Sequence, residues 1–456
     1  MRSTVATADD AVDFEPTEGG LARVLGLIEA RDGAGVVAAE RERREAALRR
    51  FLDTPTPGPR PGRGWRHDYD RLSIPGVRWT AGEIVLPASP FDAVAALARD
   101  ADADVPALAV ENAAGLVHLG ARVVRAPASS SLPDGVLVVP FADAVREELD
   151  GVDGAPATDR FAALAEAFQN CGAYVFVPDG TVIDKPIQLV FATPEGNDEA
   201  VFPRIIVRLG AGARATVIER HVGSADAFVC GTVRVDAGEN AELDYVAVQQ
   251  AGENARVFMQ RSGDCARNAV VRFHLADLGG TLVRSIVDLH LASEGSRGEA
   301  AALFFNTGFQ HVDLSTTTTH HVGNTTSDTV VRSAATDRGQ GRFTGNIVIE
   351  ARAHGSDATL RDDALLLGKR AHIDSVPALE IAANDVKAFH GATVGSLDED
   401  ALFYAGSRGI ARAAAVRMIA LAFFEPVIAR LPSEALRDEV RTALDHKIDA
   451  ATELDG

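Results

Sequence analysis

The sequence predicts a mainly β protein, with a long central run of short strands between two regions that contain helices. Helical periodicity nearly disappears between Gly172 and residue 405. The segments that replace it are short, rich in β-branched residues and bounded by Gly, Asp or Asn, which is the pattern of strands and turns. Closely spaced strands without intervening helices are typical of a β-sandwich, a β-barrel or a β-solenoid. Composition gives the solenoid a slight preference.

Length and charge narrow the class of protein. The chain has 456 residues, of which 46% are hydrophobic, so we expect a globular protein with two or three domains. No run of about 18 uncharged apolar residues occurs, and the start MRSTVATADDAVDFEP lacks signal-peptide features, so we expect a soluble, cytoplasmic protein that does not bind a membrane. The net charge of -20 comes without a cationic cluster, which argues against binding to nucleic acid.

The first region, residues 1–64, is expected to contain a helix and a linker. Residues 36–52 place Leu48 and Phe51 among alternating charges, the pattern of an amphipathic helix that lies on a surface. The segment DTPTPGPRPGRG (53–64) holds four prolines and three glycines. It cannot continue the helix and is expected to form an extended linker.

Residues 65–170 are expected to form a mixed α/β region. Its clearest element is the segment TDRFAALAEAFQNCG (158–172), whose phenylalanines share one helical face and whose Gly172 is placed to end the helix. The other expected elements are helices at residues 91–100 and 143–150 and strands at residues 115–124 and 135–140.

Residues 171–403 are expected to form the β core, and residues 404–456 a helical domain. Ser407 is the expected N-cap of the first helix of this domain, and Pro426 is expected to kink or end that helix. The following segment repeats an apolar residue every fourth position, which predicts a helix that packs its apolar stripe on a neighbour. The residues of that stripe are Leu436, Val440, Leu444 and Ile448.

No nucleotide-binding motif is supported by its context. Gly210, Gly212 and Ala215 have the G-x-G-x-x-A spacing, but the residues after them alternate like a strand, where this fingerprint requires a helix. The sequence contains no G-x-x-x-x-G-K-[ST] motif. We therefore do not expect the chain to hydrolyse ATP.

The cysteines do not predict a metal site. Cys171, Cys230 and Cys265 lack C-x-x-C spacing, so we interpret them as small buried hydrophobic residues rather than as zinc ligands or disulfides. An iron–sulfur cluster held by one chain usually needs four thiolates. Three scattered cysteines cannot provide them.

Four other residues leave an alternative function open. His311, Asp313, His320 and His321 lie in one strand-rich window, and imidazole and carboxylate groups are common ligands of metal ions. A histidine-based metalloenzyme that resembles a bicupin is therefore one alternative. The other interpretation is that these histidines are structural and hydrogen-bonded within the fold.

The segment 384–410 holds an isolated histidine. His390 precedes Gly391 after a strand-like run, and both are expected in a turn. The acidic residues 398–400 come before a helix, where carboxylates complement the helix dipole. From these residues alone, a structural role for His390 in a turn and a functional role both remain open.

Residues 377–410, PALEIAANDVKAFHGATVGSLDEDALFYAGSRGI, closely resemble the C-terminal signature of the SufB/SufD family, the scaffold proteins of the Suf iron–sulfur cluster assembly system. The resemblance extends over residues 40–450. It includes CGAYVFVPDGTVIDKPIQLVF, GGTLVRSIVDLHL, HVDLSTTTTHHVGNTTSD and FTGNIVIEARA in order, and RREAALRRFLDTPTPGP followed by GWR, which is similar to the amino-terminal segment of SufD proteins.

Three departures from the family pattern indicate the branch. SufB-like members have a cysteine directly after D-V-K, where this chain has Ala388, so the chain resembles the SufD branch. Gly323 replaces the usual proline of an H-x-x-P-x-T-x-S segment, and Asn384 replaces the first acid of D-D-V-K.

The resemblance implies a fold and a set of partners. The expected fold is a right-handed β-helix (solenoid) core, with an N-terminal helical and mixed region and a C-terminal helical domain. The expected function is that of a non-catalytic scaffold subunit that pairs with a SufB-like paralogue and docks a SufC-like ABC ATPase, and so supports iron entry and cluster assembly or transfer. In isolation, the chain is expected to be able to form a homodimer.

The resemblance also implies functional residues. His390 would be a ligand for iron or for a transient iron–sulfur cluster shared with the partner, and Asp385 and Lys387 would orient it or balance its charge. No cofactor is expected to bind tightly to the isolated chain. The residues expected to dock partners are Ser407, Arg408, Gly409, Ile410, Phe423 and Phe424.

Two further alternatives involve other classes of protein. A β-helix carbohydrate-active enzyme would share the architecture, but such enzymes are typically exported and carry their acids on a strand face, whereas residues 398–400 precede a helix. A homodimeric scaffold that assembles a cluster by itself is disfavoured by Ala388 in the cysteine position.

Overall fold

The computed structural model describes residues 11–32, 34–54, 78–80, 113–127, 132–144, 159–193, 200–223 and 227–454. The predicted helix at residues 91–100 lies outside these residues, as do most of the helix predicted at 143–150 and most of the linker at 53–64. None of the described helices is long and apolar enough to cross a membrane.

The described strands and helices are numbered in chain order. The strands are β1 (Ala11–Asp13), β2 (Arg78–Thr80), β3 (Ala114–Leu119), β4 (Arg122–Arg125), β5 (Leu137–Pro140), β6 (Cys171–Val177), β7 (Ile187–Thr193), β8 (Ala200–Val201), β9 (Pro203–Leu209), β10 (Arg214–Gly223), β11 (Phe228–Ala237), β12 (Glu242–Ala251), β13 (Arg256–Cys265), β14 (Val270–Asp277), β15 (Leu282–Leu291), β16 (Arg297–Asn306), β17 (His311–His320), β18 (Thr326–Ala335), β19 (Gln340–Ile349), β20 (Asp357–Leu366), β21 (His372–Ile381) and β22 (Lys387–Ser396). The helices are α1 (Glu18–Asp32), α2 (Ala34–Asp53), α3 (Arg160–Phe168), α4 (Glu399–Ser407), α5 (Arg412–Ile428) and α6 (Glu434–Leu454).

Two large sheets form a parallel β-solenoid, because the chain alternates between them from one strand to the next. Sheet I has the order β22-β20-β18-β16-β14-β12-β10-β7-β3-β4, and sheet II has the order β21-β19-β17-β15-β13-β11-β9-β6-β5, with β8 beside β11. Only the pairs β3–β4 and β5–β6 in these sheets are antiparallel among the described residues. The predicted mainly β fold with a β-helix core is confirmed.

The single strand predicted at 115–124 is instead two antiparallel strands, β3 and β4, joined by a turn at residues 120–121, whereas the strand predicted at 135–140 is confirmed as β5. These strands extend both sheets to the N-terminal side of residue 171. The division of the chain into four regions at the predicted bounds stays a prediction.

Residues in the left-handed backbone conformation stack at one corner of the solenoid. Each has a φ between 56° and 74°, which favours glycine and asparagine over other residues. Their amides donate hydrogen bonds to the turn of the next coil, as Asn324 does to the carbonyl of His354 at 2.9 Å. The residues of this column are Gly212, Asn240, Asn268, Gly295, Asn324 and Gly355.

The interior of the solenoid is mostly apolar and contains one cluster of buried polar groups that bind one another around Glu219. Glu219 accepts hydrogen bonds from Arg261 at 2.8 and 3.0 Å and from the Tyr245 hydroxyl at 2.7 Å, and lies 2.6 Å from His221 Nε2. Burial opposes ionisation of Glu219, but Arg261 and His221 hold the pKa of its carboxyl well below the usual range. The charges are therefore paired within the core.

Helices cover part of the outer face of each sheet. Helices α1, α2 and α3 pack on sheet II through a shared apolar cluster, and Asp159 caps α3 by accepting a hydrogen bond from the Phe161 amide at 2.8 Å. The helices predicted at 36–52 and 158–172 are confirmed as α2 and α3, and α1 was not predicted. The prediction that Gly172 ends α3 is wrong, because α3 ends at Phe168 and Gly172 lies within β6.

Helices α5 and α6 pack on the outer face of sheet I. The predicted apolar stripe of α6 is buried in this contact. Arg220 of β10 and Glu439 of α6 form a buried ion pair, with Nη2 to Oε2 at 2.8 Å. Pro426 lies inside α5, two residues before the helix ends.

The prediction that Ser407 caps a helix is wrong. Ser407 is the last residue of α4, where its hydroxyl donates to the Tyr404 carbonyl at 2.7 Å. Helix α5 begins only at Arg412, and its N-cap residue, Ala411, makes no side-chain capping bond. Residues 408–411 instead form the turn between two separate helices.

Candidate functional site

The solenoid is open at its C-terminal end. β21 and β22 form the last coil, and each is the outermost strand of its sheet among the described residues. No coil therefore pairs with their outer edges. We call the interior-facing surface of this last coil the open end. Its residues are Ile373, Ser375, Pro377, Leu379, Ile381, Ala388, His390, Ala392 and Val394.

His390 lies on the interior face of the open end. It pairs with Leu360 of β20, which is fully buried in the core. Paired residues of in-register parallel strands point to the same face of the sheet. His390 therefore points toward the solenoid axis, and it is exposed because no further coil covers it.

The expectation that His390 and Gly391 form a turn is wrong. Both residues lie within β22, paired with Leu360 and Arg361. All ten residues of β22 pair in register with β20, and this pairing holds the backbone at residues 390 and 391 in an extended conformation. Gly391 has no positive φ and so does not interrupt the strand.

The open end is mostly apolar. Leu379 and Ala388 contact the main core cluster and are only partly buried. Val394 and Ile381 face the interior but are largely exposed. An apolar surface of this kind is typical of a protein–protein contact.

A buried carboxylate lies one coil below His390. Asp362 of β20 pairs with Ala392, so it is the diagonal neighbour of His390 on the interior face. Its side chain is fully buried, and neither oxygen accepts a well-formed hydrogen bond from the described residues. Burial raises the pKa of Asp362 to about 7, and the nearby Ser375 hydroxyl only partly offsets this shift.

Asp385 and Lys387 form the corner that leads into β22. The Asp385 carbonyl accepts a hydrogen bond from the Gly355 amide at 2.6 Å, and the Lys387 amide donates to the Ser356 carbonyl at 2.9 Å. Their backbones therefore complete the last corner, while their side chains are exposed. A role of these side chains toward a bound group stays a prediction.

The open end holds no thiol. Cys171, Cys230 and Cys265 are all buried, and Cys230 Sγ donates to the Phe161 carbonyl at 3.1 Å. Burial raises the pKa of Cys265 to about 12 and that of Cys230 well above its usual value. The open end can therefore offer an imidazole to a metal, but no sulfur.

The three histidines near β17 do not share a site. His311 and His320 lie at opposite ends of β17. His320 faces the interior, 2.7 Å from the Thr325 hydroxyl and 2.9 Å from the Ser327 hydroxyl, so it joins the His, Thr and Ser of the H-x-x-G-x-T-x-S segment. Burial lowers the pKa of His320 to about 4, with His321 adding to the shift.

His321 points instead toward Glu350, 2.7 Å away. Among the described residues, no group of three or more His, Cys, Asp or Glu residues is placed to hold a metal ion. These positions give no support to the bicupin-like alternative.

The C-terminal helices expose part of the predicted docking segment. Ser407 at the end of α4 is exposed, as are Arg408 and Gly409 in the turn that follows, and Ile410 is partly buried. Phe424 is fully buried against Phe305 of the solenoid, so it supports α5 from beneath and offers no surface in this structure.

Phe423 is partly buried and lies under the Arg332 guanidinium, 5.6 Å from the ring centre. The docking role of the segment stays a prediction.

The sequence reasoning missed Asp362, Phe403 and Tyr404. Phe403 and Tyr404 are exposed on α4, one turn before the segment that was predicted to dock partners. Asp362 lies on the interior face of β20, where the neighbouring residues of the strand are apolar. Its place in the strand alternation could have revealed it, but only once the register was known.

Comparisons with known proteins agree on one family. Residues 191–423 match the family described as "SUF system FeS cluster assembly, SufBD core domain". The chain is 28% identical over 338 residues to the iron–sulfur cluster assembly protein SufD of Escherichia coli, which covers 73% of this chain and 79% of that protein. It is 27% identical over 335 residues to SufD of Bacillus subtilis, with 70% and 76% coverage, and 26% identical over 282 residues to SufB of Bacillus subtilis, with 61% and 60% coverage.

Proposed function

Because the chain belongs to the SufBD core family of the SUF system for FeS cluster assembly, and is similar to its SufD members, we propose that it is a non-catalytic scaffold subunit of that system. In this role it pairs with a SufB-like paralogue and docks a SufC-like ABC ATPase. The iron or nascent cluster is the cargo of the complex. Ligands for the cargo come from both paralogues.

The observation that carries the proposal is the open end. It combines an uncovered apolar core, two free strand edges and one exposed imidazole, all in the last coil. Strand edges and apolar surface favour pairing with another β-protein. A second solenoid placed there would cover the apolar residues and would bring its own ligands close to His390.

The chemistry of the cargo supports a shared site. Iron–sulfur clusters are held mainly by thiolates, and histidine replaces cysteine in some clusters. The cysteines of this chain are buried and bound within the fold. We therefore assign His390 as this chain's ligand and the sulfur ligands to the SufB-like partner.

The ATPase contact is assigned to α4 and the turn after it. Phe403 and Tyr404 expose their rings there, and Arg408 lies over the Tyr404 ring at 5.2 Å. Helix α6 is held on the solenoid by the buried Arg220–Glu439 pair, and α5 by its apolar packing on sheet I. A force applied by a partner at α4 would therefore reach sheet I through packed helices.

Pairing at the open end is tested by Val394→Asp. The carboxylate would be desolvated in the contact, so co-purification with the SufB-like paralogue should be lost. Val182→Asp is the matched control, because Val182 is 53% exposed and Val394 is 45% exposed, but Val182 lies far along the chain from the open end. Unchanged pairing of Val394→Asp would refute the assignment of this surface.

Docking of the ATPase is tested separately by Phe403→Glu. Phe309→Glu is the control, since Phe309 is 75% exposed and Phe403 is 78% exposed. We expect only Phe403→Glu to reduce co-purification of the ATPase, with the SufB-like chain retained. Equal retention of the ATPase by both variants would place its contact elsewhere.

A further inference from the structure

We propose that His290 and His321 form a binding site for one divalent transition-metal ion on the outer face of sheet II. His290 is the penultimate residue of β15, and His321 directly follows β17, the neighbouring strand of the sheet. Their ring planes are inclined by 22° and their centres are 5.6 Å apart, so the two rings meet edge to edge through one nitrogen each. Both side chains are partly exposed, so an ion can reach them from solvent.

The distance between the two facing nitrogens fits a shared ion. His321 Nε2 and His290 Nδ1 are 3.4 Å apart. Two imidazole nitrogens that each lie about 2.1 Å from a tetrahedral zinc-type ion are separated by about 3.4 Å. The two nitrogens can therefore bind one ion at their present separation, after a rotation of each ring that turns its lone pair toward the ion.

Glu350 fixes the chemical state of His321. Its Oε1 lies 2.7 Å from His321 Nδ1, and an ionised carboxylate only accepts hydrogen bonds, so Nδ1 carries the proton. The lone pair of Nε2 then points at His290. A carboxylate on the far nitrogen of a histidine is the usual arrangement around metal-ligating imidazoles, which it orients and makes more basic.

A second contact holds this arrangement in place. Arg352 donates from Nε to the His321 carbonyl at 2.6 Å, and the same nitrogen lies 3.6 Å from Glu350. Glu350 and the backbone of His321 are therefore tied to one side chain. The Arg352 charge lies on the Glu350 side of the pair, whereas the ion would lie between the two imidazoles.

The donor set selects the class of ion. Two neutral imidazoles suit zinc, cobalt, nickel, copper or iron ions, whereas magnesium and calcium prefer oxygen ligands. Glu350 binds the far nitrogen of His321 and so does not complete the coordination, and within the described ranges no third His, Cys, Asp or Glu does so. Water would fill the remaining positions, which predicts an exchangeable ion.

The test is to measure the binding of Co²⁺ alone to the isolated full-length chain by isothermal titration calorimetry and by visible absorption. We expect a Co²⁺ site that His290→Asn and His321→Asn each weaken at least tenfold. Glu350→Gln should weaken it about tenfold, because it removes only the orienting carboxylate. His372→Asn is the matched control, since His372 is exposed and lies beside Asp374 rather than beside a second imidazole.

Two results would overturn the proposal. One is unchanged Co²⁺ affinity in His290→Asn or His321→Asn with native circular dichroism. The other is a wild-type chain that binds no more Co²⁺ than the double variant, which would leave only a hydrogen bond between the two rings. His390→Asn should leave this site intact, so the outcome does not depend on the proposed scaffold function.

Discussion

We predict that replacing Asp362 by asparagine makes the protein more stable relative to wild type at pH 8 than it does at pH 5. The carboxyl is fully buried in β20. Burial raises its pKa to about 7; Ser375 and Arg332 oppose the shift, while Asp363 adds to it. In the unfolded chain the same carboxyl has its ordinary pKa of 3.8.

The size of the effect follows from the two pKa values. A difference of about three units at 1.36 kcal/mol per unit corresponds to an upper limit of about 4 kcal/mol. Because the folded pKa is the higher one, the folded state holds the proton more tightly. The contribution of this proton binding to the free energy of unfolding is complete below about pH 4 and is lost as the pH rises through 7. Asparagine cannot ionise and does not suffer this loss.

Urea denaturation followed by circular dichroism measures the effect. The amide has its own burial cost at every pH, so the decisive quantity is the change in the variant-minus-wild-type difference between pH 5 and pH 8. We expect this change to be about 3 kcal/mol in favour of the variant at pH 8. Asp357→Asn, at an exposed position of the same strand, is the control. A difference that is equal at both pH values would show that the pKa of Asp362 is not raised in the folded protein.

Two further predictions concern the outer contacts and the thiols. Arg220→Met leaves Glu439 buried without its partner, which should destabilise the docking of α6 by about 3–5 kcal/mol and expose α6 to limited proteolysis. The double variant with Glu439→Leu should recover most of the resistance; an equally resistant single variant would contradict this. Because Cys171, Cys230 and Cys265 are buried, Ellman's reagent should label none of them in the folded chain and all three in denaturant. Rapid labelling of the native protein would show that a thiol is accessible.

The sequence predicted the solenoid largely through its strands and its family signature. Short alternating segments with Gly and Asn at their ends specify strands and corners, and each strand repeats the register of the one below it. Helix α3 and the apolar stripe of α6 were likewise predictable, since both depend on residues close together in the chain.

The predictions that failed depend on contacts between distant segments. His390 and Gly391 resemble a turn locally, but pairing with β20 holds them in a strand. Ser407 is a good capping residue, yet the chain ends one helix there and starts the next at Arg412. Local propensity is a weak signal where tertiary packing decides the backbone.

The candidate site was predictable only in part. The family signature indicated His390 as a candidate ligand, and it showed that Ala388 stands where SufB-like proteins have a cysteine. The buried Asp362 could not be placed beneath His390 without the register, because the two residues are far apart in sequence. For the same reason the pairing of His290 with His321 required the stacking of β15 on β17.

The role of His390 as a ligand is tested most directly by measuring iron and acid-labile sulfide on the complex reconstituted anaerobically from this chain, a SufB-like paralogue and a SufC-like ATPase. Wild type, His390→Ala and the control His372→Ala are compared at equal amounts of assembled complex. We predict that His390→Ala forms the complex normally but that its cluster content falls about tenfold or more, while the control keeps its cluster. An intact His390→Ala complex with wild-type cluster content would contradict the assignment of His390 as a ligand.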